Sequence, residues 1–118
     1  MQITAEITPQ PLARPRINTT NRGRYLPSKC KNYLDELKML LRSKYKGEPI
    51  KTPCAVTIEF YKPLKVTAPK YGDIDNLAKA VLDAGNGILW QDDRQIYKMT
   101  LQKYKGEGKI TIEVIENE

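Results

Sequence analysis

Residues 71–96 read YGDIDNLAKAVLDAGNGILWQDDRQI, and the fold turns on them. Ile74, Leu77, Ala78, Val81 and Leu82 recur at three- and four-residue spacing, which predicts a helix that opens at Asp73 and stops near Gly85 or Gly87. Four of the stretch's five acids fall into two groups, Asp73 with Asp75 at the start of that helix and Asp92 with Asp93 just before the next strand, with Lys79 between them. Element ends are where polar side chains converge on a ligand. Carboxylates held together repel one another and raise each other's pKa unless a cation neutralises them. Four acids near one another therefore suggest a metal, and hard oxygen ligands point to Mg²⁺ rather than zinc. A bland reading is open as well. One aspartate simply caps the helix, and Lys79 forms exposed pairs with the acids four residues away on its own face, Asp75 before it and Asp83 after it. Asp83 is most simply Lys79's solvated partner and is left outside the site.

Working outward from this stretch, Val56, Ile58 and Phe60 alternate with Ala55, Thr57 and Glu59 as a strand upstream, closed by Pro63. Downstream, Tyr97, Met99 and Leu101 mark another strand, Lys105-Gly106-Glu107-Gly108 reads as a hairpin turn, and Ile110, Ile112 and Val114 mark the last strand. At the other end, Ile3, Ala5 and Ile7 alternate with Thr4, Glu6 and Thr8 as a first strand that Pro9 and Pro11 stop. Residues 9–27, PQPLARPRINTTNRGRYLP, carry four prolines, four arginines and two asparagines, too broken for a regular element, and read as a long loop. A helix from about Lys29 to Lys46 follows, with Ser28 as N-cap, one face carrying Tyr33, Leu34, Leu37, Leu40 and Leu41 and the other Lys31, Lys38, Arg42 and Lys46. The order is β-α-β-α-β-β: a two-layer α+β fold with a mixed sheet and both helices on one face. Strands one and two should run parallel and the terminal hairpin antiparallel.

A chain of 118 residues is the size of one domain, and we expect residues 1–118 to form one. No apolar run reaches the ~20 residues of a membrane span. The start, MQITAEITPQ, lacks the basic and apolar regions of a signal peptide, so the expected location is the cytoplasm. There is no histidine, which removes Ser-His-Asp and Cys-His catalysis, HEXXH zinc hydrolysis and His-metal nuclease centres. Cys30 and Cys54 are isolated and read as buried or incidental thiols. The net charge of +6 is unevenly placed. Residues 9–46 hold ten Lys/Arg against Asp35 and Glu36, leaving +8, while residues 71–93 hold five acids against Lys79, leaving −4. A basic arm beside an acidic centre suits a polyanion gripped by one region and cut in another. Arg14, Arg16, Asn18, Arg22 and Arg24 of the long loop, with Lys70, are the candidate DNA contacts.

The string DIDNLAKAVLDAGNGILWQDDRQI, a D-x-D-N-x-x-K helix start followed by a hydrophobic pair and D-D, resembles the core signature of the RusA family of Holliday-junction resolvases, small endonucleases often of phage origin. The resemblance covers nearly the whole chain. It implies that Asp73, Asp75 and Asp93 are catalytic acids and metal ligands, that Lys79 is catalytic and that Asp92 is a neighbour. It further implies Mg²⁺ as cofactor with Mn²⁺ as substitute, a homodimer, and branched DNA as substrate in recombination and repair. Where better-known members carry a basic run before the first acid, this chain has Lys70-Tyr71-Gly72. Two other readings remain at this level: a non-catalytic nucleic-acid-binding module, and a broader nuclease for flaps or other branched DNA. A metal-dependent phosphatase shares the acids but leaves the basic arm unexplained.

Overall fold

In the computed structural model, residues 1–12, 16–18, 23–25 and 28–117 are described. Strand β1 (Gln2–Ala5) is followed by two short strands, β2 (Arg16–Asn18) and β3 (Gly23–Tyr25), helix α1 (Ser28–Lys44), β4 (Cys54–Lys62), α2 (Ile74–Gly85), β5 (Ile96–Lys105) and β6 (Lys109–Glu116). The main sheet has the order β1-β6-β4-β5, mixed, with two helices, so the chain is an α+β fold as expected.

The expected terminal hairpin is corrected. The last two strands do run antiparallel, but they are not neighbours: β4 lies between them, parallel to β5 and antiparallel to β6. The link at residues 106–108 therefore crosses the end of β4, spanning two strand spacings, roughly 9.5 Å, and the Gly106 N–H donates to the Lys62 carbonyl at 2.9 Å. Gly108 has no room for a side chain there, because a Cβ would collide with the Thr8 hydroxyl. Strands β1 and β4 point the same way, as expected, but β6 stands between them. Residues 9–27 are also corrected, since β2 and β3 pair antiparallel from Arg16↔Tyr25 to Asn18↔Gly23. Proline and arginine content hid a three-residue ladder too short to show a period.

The core follows from register. Ile3 and Ala5 of β1 pair with Ile112 and Ile110 of β6, which pair in turn with Ile58 and Phe60 of β4, all pointing to one buried face. Helix α1 covers it with Tyr33, Leu34, Leu37 and Leu41, and α2 with Leu77, Ala78, Val81 and Ala84. Each large apolar side chain so buried contributes about 1.5–3 kcal/mol of transfer free energy. On the far face of the sheet Thr57, Glu59 and Thr111 are only half covered and Thr100 is exposed. A bulge between Cys54 and Ala55 shifts the pairing of β5, so Ile96 faces Cys54 while Tyr97 has no partner and is 56 % exposed. Cys54 is a buried free thiol, whereas the side chain of Cys30 lies outside the described residues. Among the described residues no helix is long and apolar enough to cross a membrane.

Candidate active site

Helix α2 begins as its sequence predicts. Asp73 occupies the N-cap with extended backbone (φ −73°, ψ 140°), and its carbonyl accepts the Leu77 N–H at 3.0 Å. Its carboxylate makes no capping hydrogen bond, so capping does not use it up. Asp75 lies in the first turn, its Oδ1 accepting the adjacent Asn76 N–H at 2.9 Å. Both acids are exposed at the positive end of the helix dipole, which favours anionic groups. One turn on, the Lys79 ammonium lies 3.8 Å from Asp83 Oδ2, with the two side chains 54 % and 37 % exposed. Such a surface pair is worth at most about 1 kcal/mol and leaves the lysine free to turn. It confirms Asp83 as Lys79's partner.

The second acid group is set by the turn after α2. Trp90 is fully buried, donates Nε1–H to Asn86 Oδ1 at 2.8 Å, and packs against Gly85, where a Cβ would meet its ring carbons. Gly87 adopts φ +80°, open to glycine at no steric cost. Asp92 then caps a short 3₁₀ turn (Asp93–Gln95), accepting the Arg94 N–H at 2.9 Å while the Gln95 side chain accepts the Asp92 N–H at 2.8 Å. The Gln95 amide also donates to the carbonyls of Ile50 and Thr52, tying the turn to the start of β4. The Arg94 N–H above all holds the Asp92 carboxyl below the usual range. Its neighbour behaves in the opposite way: burial first, then the hydrogen bond and charge of Asp92 and the charge of Asp83, raise Asp93, with Lys79 pulling it back. The two neighbours thus sit in different surroundings, Asp92 engaged in capping the turn and Asp93 partly desolvated beside other carboxylates.

Asp93 also forms part of the wall of an open pocket of about 320 Å³ with Leu82, Ile96, Tyr97, Lys98 and Met99. Its acidic neighbours are Asp92 and Asp83, not Asp73 or Asp75. Asp75 and Asp83 are eight residues apart, roughly 12 Å along the helix axis. Among the described residues no three acids come close enough to form a group that could hold one metal ion. Asp73 and Asp75 are at one end of α2, Asp93 is beside its later turns, and Lys79 stands between.

Sequence reading did not show how the segment that carries the chain into Asp73 is anchored. Tyr71 is buried, its hydroxyl donating to the carbonyls of Phe60 and Tyr104. Lys62 and Lys103 approach its ring, with Nζ 5.7 and 4.9 Å from the centroid. Lys62 donates to the carbonyls of Lys70 and Tyr71 at 3.1 and 3.3 Å, and Lys103 to that of Gly72 at 3.0 Å. Gly72 has φ +101°, and a Cβ there would press on the Pro11 ring at 3.0 Å. Of the candidate DNA contacts, Lys70 is exposed beside this segment, and Arg16, Asn18 and Arg24 belong to the β2–β3 ladder. Arg14 and Arg22 lie outside the described residues.

Comparison with known families matches residues 6–115 to the family described as Endodeoxyribonuclease RusA. Comparison with curated proteins gives no match. The family match takes in β5 and all but the last residue of β6, the whole of α2 with its acids, and the Asp92-Asp93 turn, so the chain belongs to the RusA family of endodeoxyribonucleases.

Proposed function

We propose that this protein is a Mg²⁺-dependent, structure-specific endodeoxyribonuclease that resolves four-way DNA junctions by paired phosphodiester hydrolysis, acting as a homodimer. The observation that carries the reading is the RusA family match over residues 6–115. The Asp73 carboxylate, which makes no capping bond, the exposed carboxylate of Asp75 and the raised pKa of Asp93 support it.

The donor set fits the ion. All candidate ligands are carboxylate oxygens, and Mg²⁺ usually keeps several waters and takes one or two carboxylates together with substrate phosphates rather than a complete protein cage. The spread of Asp73, Asp75 and Asp93 along α2 suits such sharing between protein and DNA. When bound, the ion would supply Lewis acidity at the phosphoryl oxygens and a more acidic water. Asp73 and Asp75 would hold one ion at the helix end, and Asp93, together with a substrate phosphate, a second beside the later turns. The Lys79 ammonium, released from its weak exposed pair with Asp83, would offset charge that develops on the phosphate in the transition state. Lys70 and the β2–β3 ladder would grip the DNA arms through phosphate contacts. A four-way junction needs two matched nicks, and a two-fold dimer presents two sites in that relation.

Asp75→Asn tests this reading. On a synthetic four-way junction with Mg²⁺ the variant should bind as the wild type does and lose cleavage by at least about 10²-fold, and undiminished cleavage would sink the metal site. Flap and linear duplex substrates in the same assay separate a junction resolvase from a broader branched-DNA nuclease.

A further inference from the structure

We propose that Lys103 is a positioning residue for the candidate acid site, acting through the Gly72 carbonyl on Asp73. The proposal rests on the reading of Asp73 as a metal-binding acid.

Lys103 pairs in register with Phe60, whose side chain is fully buried, so it projects from the helix-covered face of the sheet. Its ammonium lies there half-buried, near the ring of Tyr71 and 3.0 Å from the Gly72 carbonyl oxygen. An apolar side chain would fill this position at lower desolvation cost, so packing alone does not call for a cation. A charged donor to a carbonyl makes a stronger hydrogen bond than a neutral one. The peptide unit is planar, so holding the Gly72 carbonyl also fixes the Asp73 N–H and Cα. On its other side, the Asp73 carbonyl is held by the Leu77 N–H. The backbone of Asp73 is thereby gripped on both flanks while its carboxylate makes no capping bond. Lys62 repeats the device on the two preceding carbonyls, and the Tyr71 hydroxyl anchors the segment from below. Because Lys103 bonds a carbonyl and not the carboxylate, it orients the acid without competing with a cation for its oxygens.

The test uses the full chain with Lys103→Met, which keeps an apolar stem over Tyr71, Lys103→Gln, which keeps a donor without the charge, and Lys103→Arg. Three quantities are measured: Mn²⁺ binding by calorimetry, junction affinity without divalent metal, and single-turnover cleavage against Mg²⁺ concentration. Lys103→Met is expected to weaken Mn²⁺ binding about tenfold, raise half-saturating Mg²⁺ by a similar factor and leave junction affinity within about twofold, with Lys103→Arg recovering most of the loss. Equal metal affinity in wild type and both uncharged variants overturns the proposal. So does weakened junction affinity with a salt slope smaller by about one and unchanged metal binding, which marks a phosphate contact instead. If Lys103→Met does not fold, Lys103→Gln decides by the same criteria. Wild-type protein that binds no Mn²⁺ sinks the metal-site reading itself, a result distinct from an unaffected variant.

Discussion

Gly85 ends α2 where the indole of Trp90 needs the space that any side chain would occupy. Gly85→Ala should therefore cost about 1–3 kcal/mol through overpacking, whereas Gly87→Ala meets open space and pays only for its left-handed backbone, roughly 1 kcal/mol. Urea unfolding of the two variants checks the order. Tyr33 offers a second test at the level of a single group. Burial pushes its hydroxyl from the ordinary 10.0 up to about 12, with the Gln10 backbone lowering it and Glu36 raising it. The folded state thus keeps a proton that the unfolded chain releases near 10, so stability is intact below pH 10 and falls as pH rises toward about 12, by an amount on the order of 2–3 kcal/mol. Tyr33→Phe should flatten that alkaline limb in a series of melts. No sequence pattern signals either effect, since both depend on which neighbour closes over the residue.

At the scale of elements, the turn after α2 assigns different work to two adjacent aspartates. Asparagine caps as well as aspartate does, so Asp92→Asn should keep the 3₁₀ turn and retain cleavage within about threefold. Asp93→Asn should lose cleavage by about 10²-fold or more. Parallel junction assays and melting curves on the two proteins decide whether the division holds. Much of this element was legible from sequence: the 3.6-residue period of α2, an aspartate in extended backbone followed by another in the first turn, and the pairing of Lys79 with Asp83. The separation of the last two strands by β4 was not. Glycines around a short link suggest a hairpin equally well when the link steps over a third strand, and only the choice of partner for β4 separates the two cases. Lys103 gave no signal either. A lysine on a strand of a basic chain looks like solvated surface until the sheet brings it beside Gly72, 31 residues earlier.

Across the whole molecule charge is unevenly divided, residues 9–46 carrying +8 and residues 71–93 carrying −4, and the proposed function assigns grip to the first and chemistry to the second. If about six phosphates are engaged, junction affinity should fall roughly 10³-fold between about 50 and about 200 mM salt, while the fraction of bound junction that is cleaved changes little. Fluorescence titration at several salt concentrations gives the slope. A slope near zero would remove the polyanion grip from the proposal.

The sheet order also has a consequence for how the protein comes into being. Strand β6 occupies the space between β1 and β4, so among the described residues the first strand's ladder is with β6, far along the chain. A nascent chain that has emerged through α2 holds both Asp73 and Asp75 but has no partner for β1, and β4 has neither of its neighbours. Pairing of such sequence-distant strands is slow and begins only after β6 is free. The sheet therefore closes only once β6 is available, and the acids reach the framework that orients them after that strand has been made.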